Sequence, residues 1–275
     1  MSVGQVSAMS PILMIRSMVI NRDLIYQLAK REVISRYRGS LMGLAWSFFN
    51  PLLMLAVYTF VFSVVFQARW NTETSHLGEF AVILFVGVIV HGLFAECVNR
   101  APDLIVGNSS YVKRVVFPLE ILPAVSLLVS LFHAGVSLIV LMPALLLIQG
   151  YIPLTAAYVL LVLLPLLLVI IGVAWLIAAL GVFVRDIGQV TGIFTTVLLF
   201  LSPVFYPVTA LPEHIRSWIY FNPLTFIIEQ ARGVLIWGVQ PDWAGLGKYT
   251  LVSLLIAWFG YICFQKMRRG FADVL

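Results

Sequence analysis

The chain has 275 residues, 61% of them apolar and only 11% charged, whereas a soluble domain has roughly 45–50% apolar and about 25% charged residues. With a mean hydropathy of +1.03, too few charges are present to cover a soluble surface, so the expected solvent is lipid. The net charge of +5 comes with no aromatic-interleaved basic stripe, which disfavours nucleic acid as a partner and points to membrane topology and anionic lipid.

Residues 1–41 are mixed in character. From Asp23 the apolar positions Leu24, Ile25, Leu28 and Val33 recur at helical spacing, with Lys30, Arg31, Arg36 and Arg38 elsewhere on the turn. This predicts an amphipathic helix on the cytoplasmic membrane surface, the alternative being a leader helix packed on the protein itself. The first apolar stretch ends at Arg16, too short for the core of a cleavable signal, so insertion is expected to rely on the first true span.

Uncharged stretches then run over 39–68, 80–95, 121–184, 187–212 and 249–265. A helix needs about 20 apolar residues to cross a bilayer. The long stretch therefore holds two spans joined near Gln149-Gly-Tyr-Ile-Pro153, and the total is six. The second span is the weakest by this measure, since its uncharged part is short. Pro51, Pro143, Pro165 and Pro203 fall within spans and are expected to kink them. Thirteen of the seventeen basic residues fall on the side of the termini, with Arg69, Arg216, Arg232 and Lys248 opposite. The positive-inside rule places both termini in the cytoplasm.

Between spans two and three lies a charged, turn-rich segment, 99–120, and between spans four and five only a short corner at Arg185-Asp186. Residues 207–247 should lie outside, yet they are rich in aromatic and aliphatic side chains and are broken by Pro212, Asn222-Pro223 and Pro241. Two half-length helices meeting at Asn222-Pro223 fit this pattern, as a re-entrant pair that dips into the membrane and returns. The whole chain, 1–275, then reads as one all-α integral membrane domain: an N-terminal segment (1–41), a bundle of six transmembrane helices (42–264) and a cytoplasmic tail (265–275).

The chemistry of an enzyme is missing. The acids cluster toward the two faces, and His91 and His133 are the only ionisable groups inside spans. Lone histidines in a bundle read as packed hydrogen-bonding residues. Cys97 and Cys263 are expected to form neither a disulfide nor a metal site. The sequence 245–249, GLGKY, has a Gly-Lys pair but lacks the upstream glycine and the Ser/Thr of a phosphate-binding loop. No cofactor is expected, no metal, and no ATP hydrolysis by this chain alone. Such a conduit needs an energy-supplying partner.

Three stretches carry a resemblance: KREVISRYRGSLMGLAWSFFNPLL (30–53), FVRDIGQV (183–190), and LSPVFYPVTALP (201–212) running on to YFNPLT (220–225). Together they resemble the permease subunits of type-2 ABC exporters of O-antigen, capsular polysaccharide and teichoic acid. The resemblance implies a homodimer in the bacterial inner membrane, bound to two copies of a separate nucleotide-binding ATPase subunit and moving a lipid-linked polysaccharide to the periplasm. It assigns ATPase coupling to Gly107, Asn108, Ser109, Ser110, Tyr111, Val112, Lys113 and Arg114 with Arg185 and Asp186. It assigns an outer gate to residues including Leu211, Pro212, Asn222, Pro223 and Glu229. For Lys113 and Arg114, simple inside-positive anchoring is an equal alternative. Within the class, teichoic acid, capsule or a small amphiphile remains open; outside it, a channel or a membrane-embedded transferase.

Aromatic side chains suggest where substrate passes. Tyr58, Phe62 and Phe66 recur every four residues on the first span, and Phe200 and Tyr206 lie along the fifth. Aromatic faces stack on the apolar faces of sugar rings without demanding one hydrogen-bond pattern. These five are the expected channel contacts, with lipid-facing or interhelical packing as the alternative for any one of them. Trp46, Trp70, Trp218, Trp237 and Trp243 are expected as interfacial anchors.

Overall fold

The structure, a computed structural model, describes residues 10–66, 70, 78–112 and 117–275, the side chain of Val112 excepted. Among these residues there are helices and no strands. Five helical stretches are long and apolar enough to cross a membrane: Gly43–Val65, Glu79–Arg100, Leu119–Gln149, Leu154–Phe183 and Trp243–Val274. Their main helices are α3 (Trp46–Tyr58), α4 (Glu79–Arg100), α7 (Leu122–Gln149), α8 (Val159–Phe183) and α12 (Trp243–Met267). The expected turn between spans three and four is present: α7 ends at Gln149, and Gly150, at φ +79°, closes it in a conformation that suits glycine.

The fifth expected span differs. Its stretch is helical only as α9 (Ile187–Leu201), 15 residues, or about 22 Å at 1.5 Å per residue. That is short of a hydrocarbon core of about 30 Å. The stop is local: a residue before proline is pushed out of the helical region, and Ser202, preceding Pro203, is extended at ψ 151°. The span read as weakest is the most deeply buried of the five. α4 runs through the middle of the bundle with nearly every residue from Phe80 to Phe94 buried, because its neighbours rather than its own charge count decide where it sits.

The tightest helix pair is α8 with α12. A Cβ on Gly172 would come within 2.6 Å of the Ile256 carbonyl oxygen, and one on Gly260 would fall on the carbonyl of Gly172. Small residues at such crossings let backbones touch. By contrast α3, with its continuation to Val65, and α9 are bare along one side, exposing Leu53, Val57, Phe60 and Val64 on the first and Val190, Ile193 and Val197 on the second. Near its end α3 widens over Thr59–Val65, where the N–H of Phe66 reaches back five residues to Val61 at 2.9 Å. Such wide turns often mark functional positions.

The N-terminal segment forms two helices, α1 (Pro11–Ile20) and α2 (Arg22–Tyr37). α2 lays Ile25, Ala29 and Val33, spaced four apart, onto the bundle, so its apolar stripe is used in packing on the protein, the second of the two readings above. Ser17 Oγ donates to Glu120 at 3.0 Å and Arg268 Nη1 binds the same carboxylate at 2.6 Å. Both terminal segments therefore meet at one end of the bundle. At the far end Tyr158, before α8, packs edge-on against Trp243, at the start of α12, 5.5 Å apart. Between Ile187 and Trp243 the chain passes once from the terminal end to the far end.

That passage is completed by α10 (Glu213–Ile219) and α11 (Pro223–Leu235). The two helices meet at Asn222-Pro223 as expected: Asn222 Oδ1 caps α11 by accepting from Leu224 N–H at 2.9 Å, and Pro223 occupies the first turn. Asn222 Nδ2 also donates to Ser202 Oγ at 2.9 Å, and Tyr249 donates its hydroxyl to the Pro223 carbonyl at 2.7 Å. Tyr249 lies six residues inside the start of α12, so the joint sits about 9 Å below the far end. From there α11 climbs outward, and Thr155 Oγ1 donates to Val234 near its end at 2.8 Å.

Candidate functional site: an aromatic collar and a charged terminal end

At the far end, four of the five expected channel residues come together. Phe62 stacks on Phe80 at 5.3 Å and on Phe205 at 6.2 Å, and touches Phe66 at 5.9 Å. Phe205 in turn stacks on Phe200 at 5.6 Å, and Tyr206 donates its hydroxyl to the Phe200 carbonyl at 3.2 Å. Phe66 and Phe200 present most of their surface outward. A collar of rings thus joins the ends of α3 and α9 across the start of α4. Tyr58 is not part of it; it is half-buried against the core one turn and more below. Phe80 and Phe205 complete the collar; Phe205 follows α9 in the same aromatic run as Phe200 and Tyr206, whereas Phe80, at the start of α4, could not be joined to them by spacing along one helix.

Behind the collar lies a fixed cation. Arg232, on α11, is wholly buried. Its guanidinium donates to the carbonyls of Ile83 (3.0 Å), Pro203 (2.6 Å) and Val204 (2.9 Å), and to Glu229 Oε1 at 3.2 Å. Trp70 covers it, 4.5 Å from ring centre to the guanidinium carbon, and also packs on Phe80. Trp70, expected as an interfacial anchor, is a lid on this charge. One side chain thereby ties the α10–α11 pair to α4 and to the chain just past α9, with Arg supplying the forked donors that three carbonyls require. The sequence reading counted Arg232 as an ordinary outer basic residue. The available signal was its place on the apolar face of α11, between Ile228, Ala231 and Leu235.

Of the other expected gate residues, Pro212 leads into α10, and Leu211 accepts through its carbonyl from Arg216 Nε at 2.8 Å. Glu229 is the one whose side chain meets the Arg232 hub.

The expected coupling residues lie at the terminal end. Two short helices follow α4: α5 (Asp103–Val106) and α6 (Ser109–Val112). Gly107 N–H closes α5 on Asp103 O at 2.8 Å, Asn108 Nδ2 donates to Leu104 O at 2.9 Å, and Gly107 and Ser110 are exposed. Ser109 is half-exposed. Tyr111 stacks on Phe117 at 4.3 Å and its hydroxyl accepts from Arg31 Nη2 at 3.2 Å. Lys113 and Arg114 lie outside the described residues. Gly181, near the end of α8, packs so closely on Pro102 that a Cβ would come within 2.5 Å of the Pro102 carbonyl. This brings the base of α5 beside the exposed corner Arg185-Asp186, so the two segments expected to couple lie at the same end of the bundle.

A polar cluster joins this end to the bundle interior. Glu96, on α4, accepts from Arg36 Nη1 at 2.6 Å and from His133 Nδ1 at 2.9 Å, while Tyr37 Oη lies 3.1 Å from His133 Nε2. Arg100 pairs with Glu32. The cluster borders a cavity of about 400 Å³ whose other walls include Ser47, Asn50, Met54, Phe85 and Ile89. His133 is therefore a member of an ion network, whereas His91 behaves as a packed residue, donating to the Thr195 carbonyl at 2.9 Å. Among the described residues no three His, Cys, Asp or Glu side chains converge as metal ligands.

A bundle of long apolar helices with polar groups gathered at one end and an aromatic collar at the other defines an integral membrane protein. Residues 23–236 match the ABC-2 type transporter family, and the chain belongs to that family. It is similar to the O-antigen export system permease protein RfbA of Myxococcus xanthus, 27% identical over 94% of this chain and 98% of that protein. It is likewise similar to the capsule polysaccharide export inner-membrane protein CtrC of Neisseria meningitidis serogroup B, 26% identical over 92% and 94%. The polysialic acid transport protein KpsM of Escherichia coli is 26% identical over 82% and 87%.

Proposed function

We propose that this chain is the permease subunit of an ATP-driven exporter that moves a lipid-linked polysaccharide, O-antigen first and capsular polymer second, from the cytoplasm across the bacterial inner membrane. The observation that carries the reading is similarity over nearly the full length to permeases named for O-antigen export. Capsular export is the second reading because relatives named for it align over almost as much of the chain.

In this reading the protein crosses the membrane six times. Parity supports it: the termini meet at one end, and the chain from α9 through the helix pair supplies the crossing that no single long helix makes. The joint at Asn222-Pro223, held about 9 Å below the far end, then forms the re-entrant turn. Arg22, Lys30, Arg31, Arg36, Arg38, Arg185, Lys266 and Arg269 gather at the terminal end, which supports a cytoplasmic assignment for it. Two copies pair so that the bare faces of α3 and α9 line a shared conduit ringed by the aromatic collars. Two ATPase subunits bind at α5, α6 and Arg185-Asp186, and their closure pushes on that face. Glu229 and the α10–α11 pair, clamped by Arg232, gate the outer mouth.

The test is export in cells lacking the native gene. Wild-type chain should restore surface polymer, whereas Phe62→Ala with Phe200→Ala should lower it several-fold at equal membrane abundance and ATPase assembly. Full surface polymer without any copy of the gene would refute the export role, and unchanged export by the double variant would remove the collar from the pathway.

A further inference from the structure

A second concave surface lies away from the collar. It is an apolar groove of about 640 Å³ between Phe194 of α9 and α12, floored by Val169 and Val173 of α8 and Phe94 of α4, and roofed by Tyr220 to Pro223 and Phe226. Along α12 it runs from Gly245 to Ile256, about 16 Å, close to the depth of one leaflet of a core about 30 Å thick. Lys248 stands five residues inside Trp243, about 8 Å below an aromatic of the interface. It is exposed and has no ion pair among the described residues.

A cation at that depth is costly unless an anion meets it. A second copy of this chain cannot supply one from its bare helices, since 39–68 and 187–212 contain no Asp or Glu. Burying Lys248 under either helix would leave an unpaired charge.

We propose that this groove binds an anionic membrane phospholipid, its phosphate on the Lys248 ammonium and one acyl chain along Val252, Val173 and Ile256. The lysine stem lies along the groove wall and its head rises toward the interface, as such side chains do. The lipid fills the gap between α9 and α12 directly beneath the joint at Asn222-Pro223. This assignment is independent of the exported cargo.

Native mass spectrometry of the detergent-purified full-length chain, titrated with phosphatidylglycerol or phosphatidylcholine of identical acyl chains, tests it. Wild type should retain phosphatidylglycerol about fivefold more tightly, the worth of one lysine near a lipid phosphate. Lys248→Gln should abolish the preference, Lys248→Arg should keep it, and Val252→Trp, which obstructs the groove, should weaken binding of both lipids. Equal retention of the two lipids by wild type, or a preference that survives Lys248→Gln, would overturn the assignment. So would efficient disulfide capture of a second copy between cysteines placed at Val252 and Leu53.

Discussion

Arg232 shows how much one side chain holds. It links α11, α4 and the chain after α9 through a single set of hydrogen bonds. Replacing it with leucine keeps most of the volume but strands three carbonyls and releases Glu229. A buried charge network broken on one side costs about 3 kcal/mol or more. Arg232→Leu should therefore lower the unfolding temperature of the purified protein by several degrees. Arg232→Lys should fall between, since an ammonium cannot span all three acceptors. A leucine variant that melts with the wild type would remove Arg232 from its proposed role as the clamp. Nothing in the linear pattern distinguishes this arginine from Arg216, seated in the same outer segment, except the apolar residues that flank it on one helical face.

At the scale of elements, two contacts set the geometry. The α8–α12 crossing depends on Gly172 and Gly260 touching backbone to backbone, and Gly260→Val would force the helices apart at a cost of about 3 kcal/mol. Thermal unfolding with a circular-dichroism readout measures it; an unshifted transition would mean that the helices do not cross there. α2 is held on the bundle by Arg36–Glu96 and Arg100–Glu32 together with Ile25, Ala29 and Val33. Glu96→Ala frees Arg36 and leaves His133 without its acceptor. Amide exchange in α2 should then quicken while α8 and α12 stay protected, as expected for a local opening. Uniform quickening would instead indicate global loosening. The helices themselves were legible as long apolar runs, and the Asn222-Pro223 joint as a cap followed by proline. The shortness of α9 was legible only in part, because Pro203 marks a break without saying whether the helix kinks or ends.

For the whole molecule, the meeting of Ser17, Glu120 and Arg268 at one end requires an even number of passages. An impermeant thiol reagent applied outside intact spheroplasts should label a cysteine at Trp237 and spare cysteines at Ser110 and Arg269, in a background lacking Cys97 and Cys263. Labelling of Ser110 from outside would invert the topology. The sequence by itself determined the solvent, the helical class, the apolar stretches and the side favoured by basic residues. Each of these follows from composition or from spacing along one helix, where lipid and backbone hydrogen bonding leave few choices. Only the tertiary structure decided that α4 is the central helix, that α2 packs on the protein, and that rings from three segments form one collar. It alone showed Trp70 covering a buried arginine. Those facts depend on which faces meet across tens of residues, and in a chain apolar on nearly every side, close packing and a few buried polar groups select the partners.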